Sequence, residues 1–148
     1  MKSHSDGEVW GLSVVDEGTV TTTGDDNRIM TWDTKSMKCV SIGTISNEAR
    51  KVKRGGASSL TTFADSQCAR AVAVCPQNGH VAVGHNDGTL TIRASVQDLD
   101  SIIAQNNNAR EWIEAITYSP DGSKLAVGSH DNKIYVYSTS DYSLLGKC

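Results

Sequence analysis

Four residues near the N-terminus carry side chains that could form a chain of hydrogen bonds, and three of them could transfer protons. Asp26 lies 22 residues after His4 and four residues after Thr22, and Trp32 follows six residues later. A histidine, a carboxylate and a hydroxyl are the parts of a catalytic triad, in which the hydroxyl oxygen is the nucleophile. The same groups could form a structural hydrogen-bond chain, because tryptophan only donates, aspartate only accepts, and a hydroxyl or a neutral histidine does both.

The elements that would hold these residues follow an all-β pattern. Segments rich in Val, Ile and Thr alternate with turn residues, and helical periodicity is almost absent. Aspartates typical of hairpin turns occur at Asp26, Asp87 and Asp131, at intervals of 61 and 44 residues. A repeat of about 44 residues with four short strands is the period of a β-propeller blade. The longer first interval indicates an insertion of about 17 residues.

The repeat predicts a partial propeller of three blades, each of four antiparallel strands. We assign one partial β-propeller to residues 1–148, with blade one at about 4–45, an insertion at about 46–68, blade two at about 69–106 and blade three at about 110–148. In blades two and three, Asp87 and Asp131 are expected to accept hydrogen bonds from backbone amides of their own hairpins. The first turn of each blade carries a glycine that we expect to have a positive φ. These glycines are Gly18, Gly79 and Gly122.

Four segments of the chain match the pattern of one protein family. They read HSDGEVWGL, GDDNRIMTWD, VAVGHNDGTLTIR and EWIEAITYSPDGSKLAVGSHDNKIYVYS. Together they resemble the echinoderm microtubule-associated-protein-like family, whose members are cytoskeletal WD-repeat propellers that bind tubulin or microtubules. The resemblance implies WD-type blades and a cytoplasmic, cytoskeletal location. It also implies that His4, Thr22, Asp26 and Trp32 form a buried structural network, with the indole bonded to the hydroxyl, the hydroxyl to the imidazole and the imidazole to the carboxylate.

The corresponding positions of the other two blades hold different residue types. In blade two the histidine, hydroxyl and tryptophan positions hold Asp65, Val83 and Arg93, and in blade three they hold Ala109, Val127 and Tyr137. Only the turn aspartates recur. The resemblance therefore implies the complete network in blade one alone.

The composition argues against several other classes of function. A net charge of −3 gives no basic surface for nucleic acid, and no apolar run of 18 residues could span a membrane. The N-terminus lacks the apolar stretch of a signal peptide, and the four cysteines show no metal-ligand spacing, which favours reduced thiols in the cytosol. The chain has no phosphate-binding glycine loop, nucleophile elbow or paired metal ligands. We therefore predict that it is not an enzyme and holds no metal or cofactor.

One basic segment is a candidate contact for a partner. Arg50, Lys51, Lys53 and Arg54 place four positive charges within five positions of an acidic chain. Such a segment could attract the acidic tails of tubulin, although a solvated loop explains the same pattern. The predicted function is a non-catalytic WD-repeat scaffold that binds tubulin or microtubules. The alternative is a WD-repeat adaptor in another multiprotein complex, such as a ubiquitin ligase or a trafficking coat.

Several ring side chains lie close to the predicted strand ends. Trp10 and Trp112 are in or beside innermost strands, which favours packing between blades over contact with a partner. His85 and His130 flank the hairpin turns and are predicted to be exposed.

The number of blades also bears on assembly. Three blades are fewer than the roughly four to eight of a closed propeller. We expect two copies to form a homodimer that closes six blades about a two-fold axis. A monomer with polar open faces and a pairing through edge strands are the alternatives.

Overall fold

The computed structural model describes residues 4–45 and 67–148, and their regular structure is entirely β-strand. The strands form three four-stranded antiparallel sheets, and within each sheet they follow one another in chain order. This confirms the predicted all-β fold of three WD-type blades. No helix occurs in this part of the chain, so none of its elements resembles a membrane-spanning helix.

Each sheet corresponds to one blade, numbered from its innermost strand outward. Blade one contains β1 (Val9–Asp16), β2 (Thr19–Gly24), β3 (Arg28–Asp33) and β4 (Lys38–Thr44). Blade two contains β5 (Ala69–Val74), β6 (Val81–His85), β7 (Leu90–Arg93) and β8 (Ile102–Asn106). Blade three contains β9 (Ile113–Tyr118), β10 (Lys124–Ser129), β11 (Lys133–Ser138) and β12 (Leu144–Lys147). The limits of the insertion stay a prediction, because residues 46–66 lie outside the described residues.

The hairpin between the second and third strands has the same register in every blade. In each ladder the residue three positions before the turn aspartate pairs with the residue three positions after it. These pairs are Thr23 with Ile29, Gly84 with Leu90, and Gly128 with Ile134. The turn aspartates are therefore equivalent in structure as well as in spacing.

Positive φ angles occur at the turns. The residue after each turn aspartate has a positive φ: Asn27 (59°), Gly88 (81°) and Asn132 (65°). Glycine and asparagine adopt this conformation more readily than other residues. Among the first-turn glycines, Gly79 (74°) and Gly122 (67°) have a positive φ, but Gly18 does not, so that expectation is wrong at Gly18. Only two residues separate β1 from β2, and Asp16 closes this tighter turn by accepting the Gly18 N–H at 2.8 Å.

The blades pack side by side, with β5 between β1 and β9. One apolar cluster joins blades one and two and includes Ile29 and Val72, and a second joins blades two and three and includes Leu90 and Leu125. Apolar residues on both faces suit blade two, because a neighbouring blade covers each of its faces.

Each innermost strand contains one extra residue near its beginning. The pairing with the second strand shifts register between Val9 and Gly11, between Ala69 and Ala71, and between Ile113 and Ala115. The residues inside these shifts are Trp10, Arg70 and Glu114. They occupy equivalent positions in the three blades, and such bulges commonly re-aim a side chain.

Candidate functional site

His4, Thr22, Asp26 and Trp32 lie together in blade one as a tetrad of hydrogen-bonded side chains. His4 Nδ1 is 2.7 Å from Asp26 Oδ1, and His4 Nε2 is 2.9 Å from Thr22 Oγ1. Trp32 donates its indole N–H to Thr22 Oγ1 at 2.8 Å. The tetrad ties the segment before β1 to β2, to β3 and to the turn between them.

The atoms meet in the order of a catalytic triad, but the hydroxyl of Thr22 is closed to a substrate. Thr22 is only 8% exposed, and its oxygen already accepts the indole N–H of Trp32. If His4 carries its proton on Nδ1 and donates it to Asp26, its Nε2 accepts the hydroxyl proton of Thr22. Every polar group of the tetrad then has a partner, which is the condition for a buried network to stabilise a fold.

Asp26 also holds two backbone amides. It accepts the Ser5 N–H at 3.0 Å and the Arg28 N–H at 3.3 Å. Burial raises the pKa of this carboxyl, but the hydrogen bonds from His4 and Ser5 outweigh burial, so its pKa lies below the ordinary value. The carboxylate form of Asp26 is therefore the one that the fold selects.

The other two turn aspartates have different partners. Asp87 accepts the Thr89 N–H of its own turn at 2.9 Å and the side-chain amide of Gln67 at 3.3 Å. Asp131 instead accepts the Arg110 N–H at 3.1 Å and the Tyr135 hydroxyl at 2.7 Å. Arg110 lies 21 residues before its aspartate, as Ser5 lies 21 residues before Asp26. The turn aspartate thus accepts the backbone N–H of the residue 21 positions earlier in both blade one and blade three.

Two buried residues replace the tryptophan of the tetrad in the other blades. Arg93 is only 3% exposed and donates from Nη1 to the carbonyl oxygen of Leu99. Tyr137 donates its hydroxyl to Asn108 Oδ1 at 3.2 Å, and burial raises the pKa of Tyr137 to about 12. Both side chains stabilise their own blades from inside.

His85 and His130 differ in exposure. His130 is exposed, but the prediction of an exposed His85 is wrong, because β6 extends through His85 and buries it completely. His85 Nε2 lies 2.9 Å from Thr91 Oγ1. Burial lowers the pKa of His85 to about 4, so this imidazole is neutral at pH 7.

A cluster of Trp10, Arg70 and Trp112, here called the Trp–Arg cluster, joins the three blades where their innermost strands begin. The guanidinium carbon of Arg70 lies 4.1 Å from the ring centre of Trp10 and 4.7 Å from that of Trp112. Both indoles therefore attract the cation through their faces. Each blade contributes one member, so the cluster forms only when the blades are packed.

Other side chains fix the two indoles in place. Trp10 donates its N–H to Asp25 Oδ1 at 2.7 Å, and Asp25 Oδ2 accepts the Glu8 N–H at 3.0 Å. Trp112 contacts His130 edge to face, with ring centres 4.8 Å apart. Trp10 is thus held by a hydrogen bond and Trp112 by a ring contact.

The predicted basic segment Arg50, Lys51, Lys53 and Arg54 lies outside the described residues. Within the described ranges no three His, Cys, Asp or Glu side chains are arranged to hold a metal ion.

Comparison with known proteins assigns the family. A family model described as "WD domain, G-beta repeat" matches residues 1–33, and one described as "Anaphase-promoting complex subunit 4 WD40 domain" matches residues 72–148. The second match alone covers more than half of the chain. This chain belongs to the WD40-repeat family. Its three sheets are WD40 blades, and their equivalent hairpins carry the same turn aspartate.

Relatives of this WD40 chain include ciliary and microtubule-associated proteins. The ciliary WD repeat-containing protein ctxp80 of Euplotoides octocarinatus is 57% identical over 99% of this chain and 20% of its own length. The 77 kDa echinoderm microtubule-associated protein of Strongylocentrotus purpuratus is 30% identical over 100% of the chain and 19% of its own length. Human echinoderm microtubule-associated protein-like 1 is 30% identical over 99% of the chain and 16% of its own length. The chain thus spans a fifth or less of each relative.

Sequence reasoning missed Arg70 as a member of the site. Trp10 and Trp112 were expected at the contacts between WD40 blades, but nothing in the spacing singled out the arginine between them. The available signal was positional, because Arg70 follows the first residue of β5 as Trp10 follows the first residue of β1.

Proposed function

We propose that this chain is part of a non-catalytic WD-repeat scaffold that binds tubulin or microtubules in the cytoskeleton of the cytoplasm. The observation that carries the proposal is the similarity to two microtubule-associated proteins across 99–100% of the chain. The buried hydroxyl of the tetrad agrees with a structural role for the residues that most resemble a catalytic set. The similarity to a ciliary protein supports the same cellular setting.

Arg50, Lys51, Lys53 and Arg54 are our candidates for contact with the acidic tails of tubulin. Co-sedimentation of the chain with stabilised microtubules, at several salt concentrations, tests both the function and the segment. We expect binding to weaken with salt, because exposed charges are screened over about 8–10 Å at physiological ionic strength. A variant with all four residues changed to glutamine should bind less. Full binding by this variant, unaffected by salt, would remove the segment from the proposal, and no binding by the unaltered chain would contradict the function.

A second candidate function is a WD-repeat adaptor in another multiprotein complex. The match of residues 72–148 to the WD40 domain of a subunit of the anaphase-promoting complex favours it. Pull-down of a defined complex from cell extract, in the absence of microtubule binding, would support this alternative.

Blade one has an apolar face that no described residue covers. Ser13 on β1 points towards blade two, where its Oγ accepts the Val74 N–H at 3.2 Å. Leu12 and Val14 alternate with Ser13 and so point to the opposite side. They are 65% and 67% exposed.

Blade three has a matching open face. Between blades two and three, the side chains of Ile113 and Ile116 lie directly against Gly84. By register, Leu12 is equivalent to Ile116, and Gly128 is equivalent to Gly84. A Cβ at Gly128 would meet nothing beyond one alanine, at 3.8 Å. The exposed leucine and the open glycine thus repeat the two halves of an interface that the chain already contains.

We infer that two copies pair blade one of each against blade three of the other and close six blades about a two-fold axis. Burial of the two apolar faces drives this association. Sedimentation velocity at several protein concentrations tests it. The expected result is a mass that rises from 15.8 kDa towards twice that value, and a monomer at every concentration contradicts the inference.

A further inference from the structure

The turn between β5 and β6 exposes an asparagine that is followed by glycine. Asn78 is exposed, and it alone among the asparagines of the sequence precedes a glycine. Gly79 has a φ of 74°, and a Cβ at this residue would meet no atom within 4 Å. Glycine has no side chain to shield its amide nitrogen, so that nitrogen approaches the Asn78 side chain with less hindrance than the nitrogen of a larger residue.

The hydrogen bonds of this turn prepare the Asn78 amide for attack. The His80 N–H donates to Asn78 Oδ1 at 3.0 Å, which draws electrons from Cγ and makes that carbon a better electrophile. The nucleophile that closes a five-membered ring onto Cγ is Gly79 N. This nitrogen donates to Cys75 O at 3.0 Å, and that bond must open before the nitrogen attacks. Exposed turns open locally at a low cost in free energy.

Asn78 also lies at the contact between blades two and three. Its side chain hydrogen-bonds the hydroxyl of Tyr142, a residue that is buried in the turn between β11 and β12. His80 Nδ1 lies 2.7 Å from the same hydroxyl. In the same contact, a Cβ at Gly122 of blade three would lie 2.6 Å from Gln77 Cβ. A change in the turn that holds Asn78 therefore reaches blade three directly.

We propose that Asn78 is a site of spontaneous deamidation, which converts this turn to an isoaspartyl form. Gly79 N bonds to Asn78 Cγ to form a succinimide, the bond between Cγ and Nδ2 breaks, and Nδ2 leaves as ammonia with the proton of Gly79 N. Water from the solvent then adds to one of the two ring carbonyls and opens the ring. Addition at Cγ gives aspartate, and addition at the main-chain carbonyl gives isoaspartate. No oxidant, reductant or enzyme takes part.

Deamidation weakens the contact between blades two and three in two ways. The amide of Asn78 has N–H donors, but the carboxylate that replaces it only accepts, so the donor facing Tyr142 is lost. Isoaspartate also adds one methylene group to the main chain, which displaces Gly79 N from Cys75 O. The modification is thus a slow, age-dependent loosening of one blade interface. It goes beyond the proposed function, because it requires no partner.

Timed incubation of the full chain tests the site. The chain is kept at neutral and at mildly alkaline pH, and peptide mass spectrometry at intervals locates each amide that has become an acid. An isoaspartate methyltransferase labels the isoaspartyl product. Asn132 is the control within the chain, because it is exposed in another turn but is followed by Lys133. Asn78→Gln is the control variant, because glutamine would have to close a six-membered ring.

We expect Asn78 to deamidate at least tenfold faster than Asn132, and faster at alkaline pH, because Gly79 N attacks after losing its proton. The isoaspartyl form, separated by ion exchange, should unfold at a lower urea concentration than the fresh chain. Asn78→Gln incubated in the same way should keep its urea midpoint and gain no methyl label at residue 78. Equal rates at Asn78 and Asn132, reaction only in the chain unfolded by urea, or an unchanged urea midpoint of the isoaspartyl form would overturn the proposal.

Discussion

Gly84 of the second blade lies so close to Ile113 of the third that a Cβ at residue 84 would overlap the isoleucine side chain. The two residues belong to different sheets, and their contact lies at the interface between blades two and three. Gly128 occupies the same position in the third blade and has open space in front of it. This difference between equivalent glycines allows a controlled test of blade packing.

At a concentration where the chain is a monomer, Gly84→Ala should destabilise it, whereas Gly128→Ala should be close to neutral. The added methyl group at residue 84 must displace Ile113 or the backbone, and overpacking of this kind costs about 1–3 kcal/mol. Neither glycine has a positive φ, so the backbone tolerates alanine at both positions. Urea unfolding measures the two free energies. Equal urea midpoints for the two variants would show that the close contact between Gly84 and Ile113 does not affect the free energy of unfolding.

Thr22→Val should destabilise blade one, because the substitution keeps the shape of the side chain and removes the hydroxyl at the centre of the tetrad. The indole N–H of Trp32 and Nε2 of His4 would then lose their partner, at a cost of about 1–3 kcal/mol. Thr19→Val, at the first position of β2, is the matched control. If thermal unfolding midpoints of the two variants agree, the tetrad does not stabilise the fold.

The free energy of unfolding should fall as the pH is lowered from about 6.5 to about 4, because of His85. Its pKa in the folded chain is lowered to about 4 by burial, so between these values the unfolded state binds the proton and the folded state does not. Stability therefore rises with pH across this window, by up to about 1.4 kcal/mol per pH unit from this group.

Comparison of His85→Gln with the exposed control His130→Gln isolates this contribution. Unfolding free energies at pH 7.5, 5.5 and 4.5 should depend less on pH in His85→Gln than in the unaltered chain, and the control should behave like the unaltered chain. The same pH dependence in all three proteins would refute the assignment.

Leu12→Glu should abolish self-association if blade one of each copy packs on blade three of the other. The charge would be buried against the face around Gly128 without a partner, which is strongly unfavourable. Leu145→Glu, on the outermost strand β12, changes another exposed leucine and serves as the control. Light scattering at several concentrations measures the mass. A dimer that survives Leu12→Glu but not Leu145→Glu would indicate pairing through the outer edges instead.

The hairpins were predictable because they are local. Strands that pair within a blade are neighbours in the chain, so the spacing of Asp26, Asp87 and Asp131 carries their register directly. The tetrad could be proposed for the same reason, since its members lie in one blade and their residue types match as donors and acceptors. The turn at Gly18 could not be predicted from its glycine, because Asp16 supplies the closing hydrogen bond there.

The sequence by itself determined the three blades, the equivalence of their turns and the partners available to each polar side chain of blade one. The tertiary structure alone decided which residues meet between blades. Trp10, Arg70 and Trp112 converge because adjacent sheets pack with their innermost strands side by side, and His85 is completely buried although it lies next to a turn. Such contacts join residues that are tens of positions apart, and they depend on how one sheet is oriented against the next. Periodicity within a strand carries no information about that orientation, so the Trp–Arg cluster becomes visible only in the folded chain.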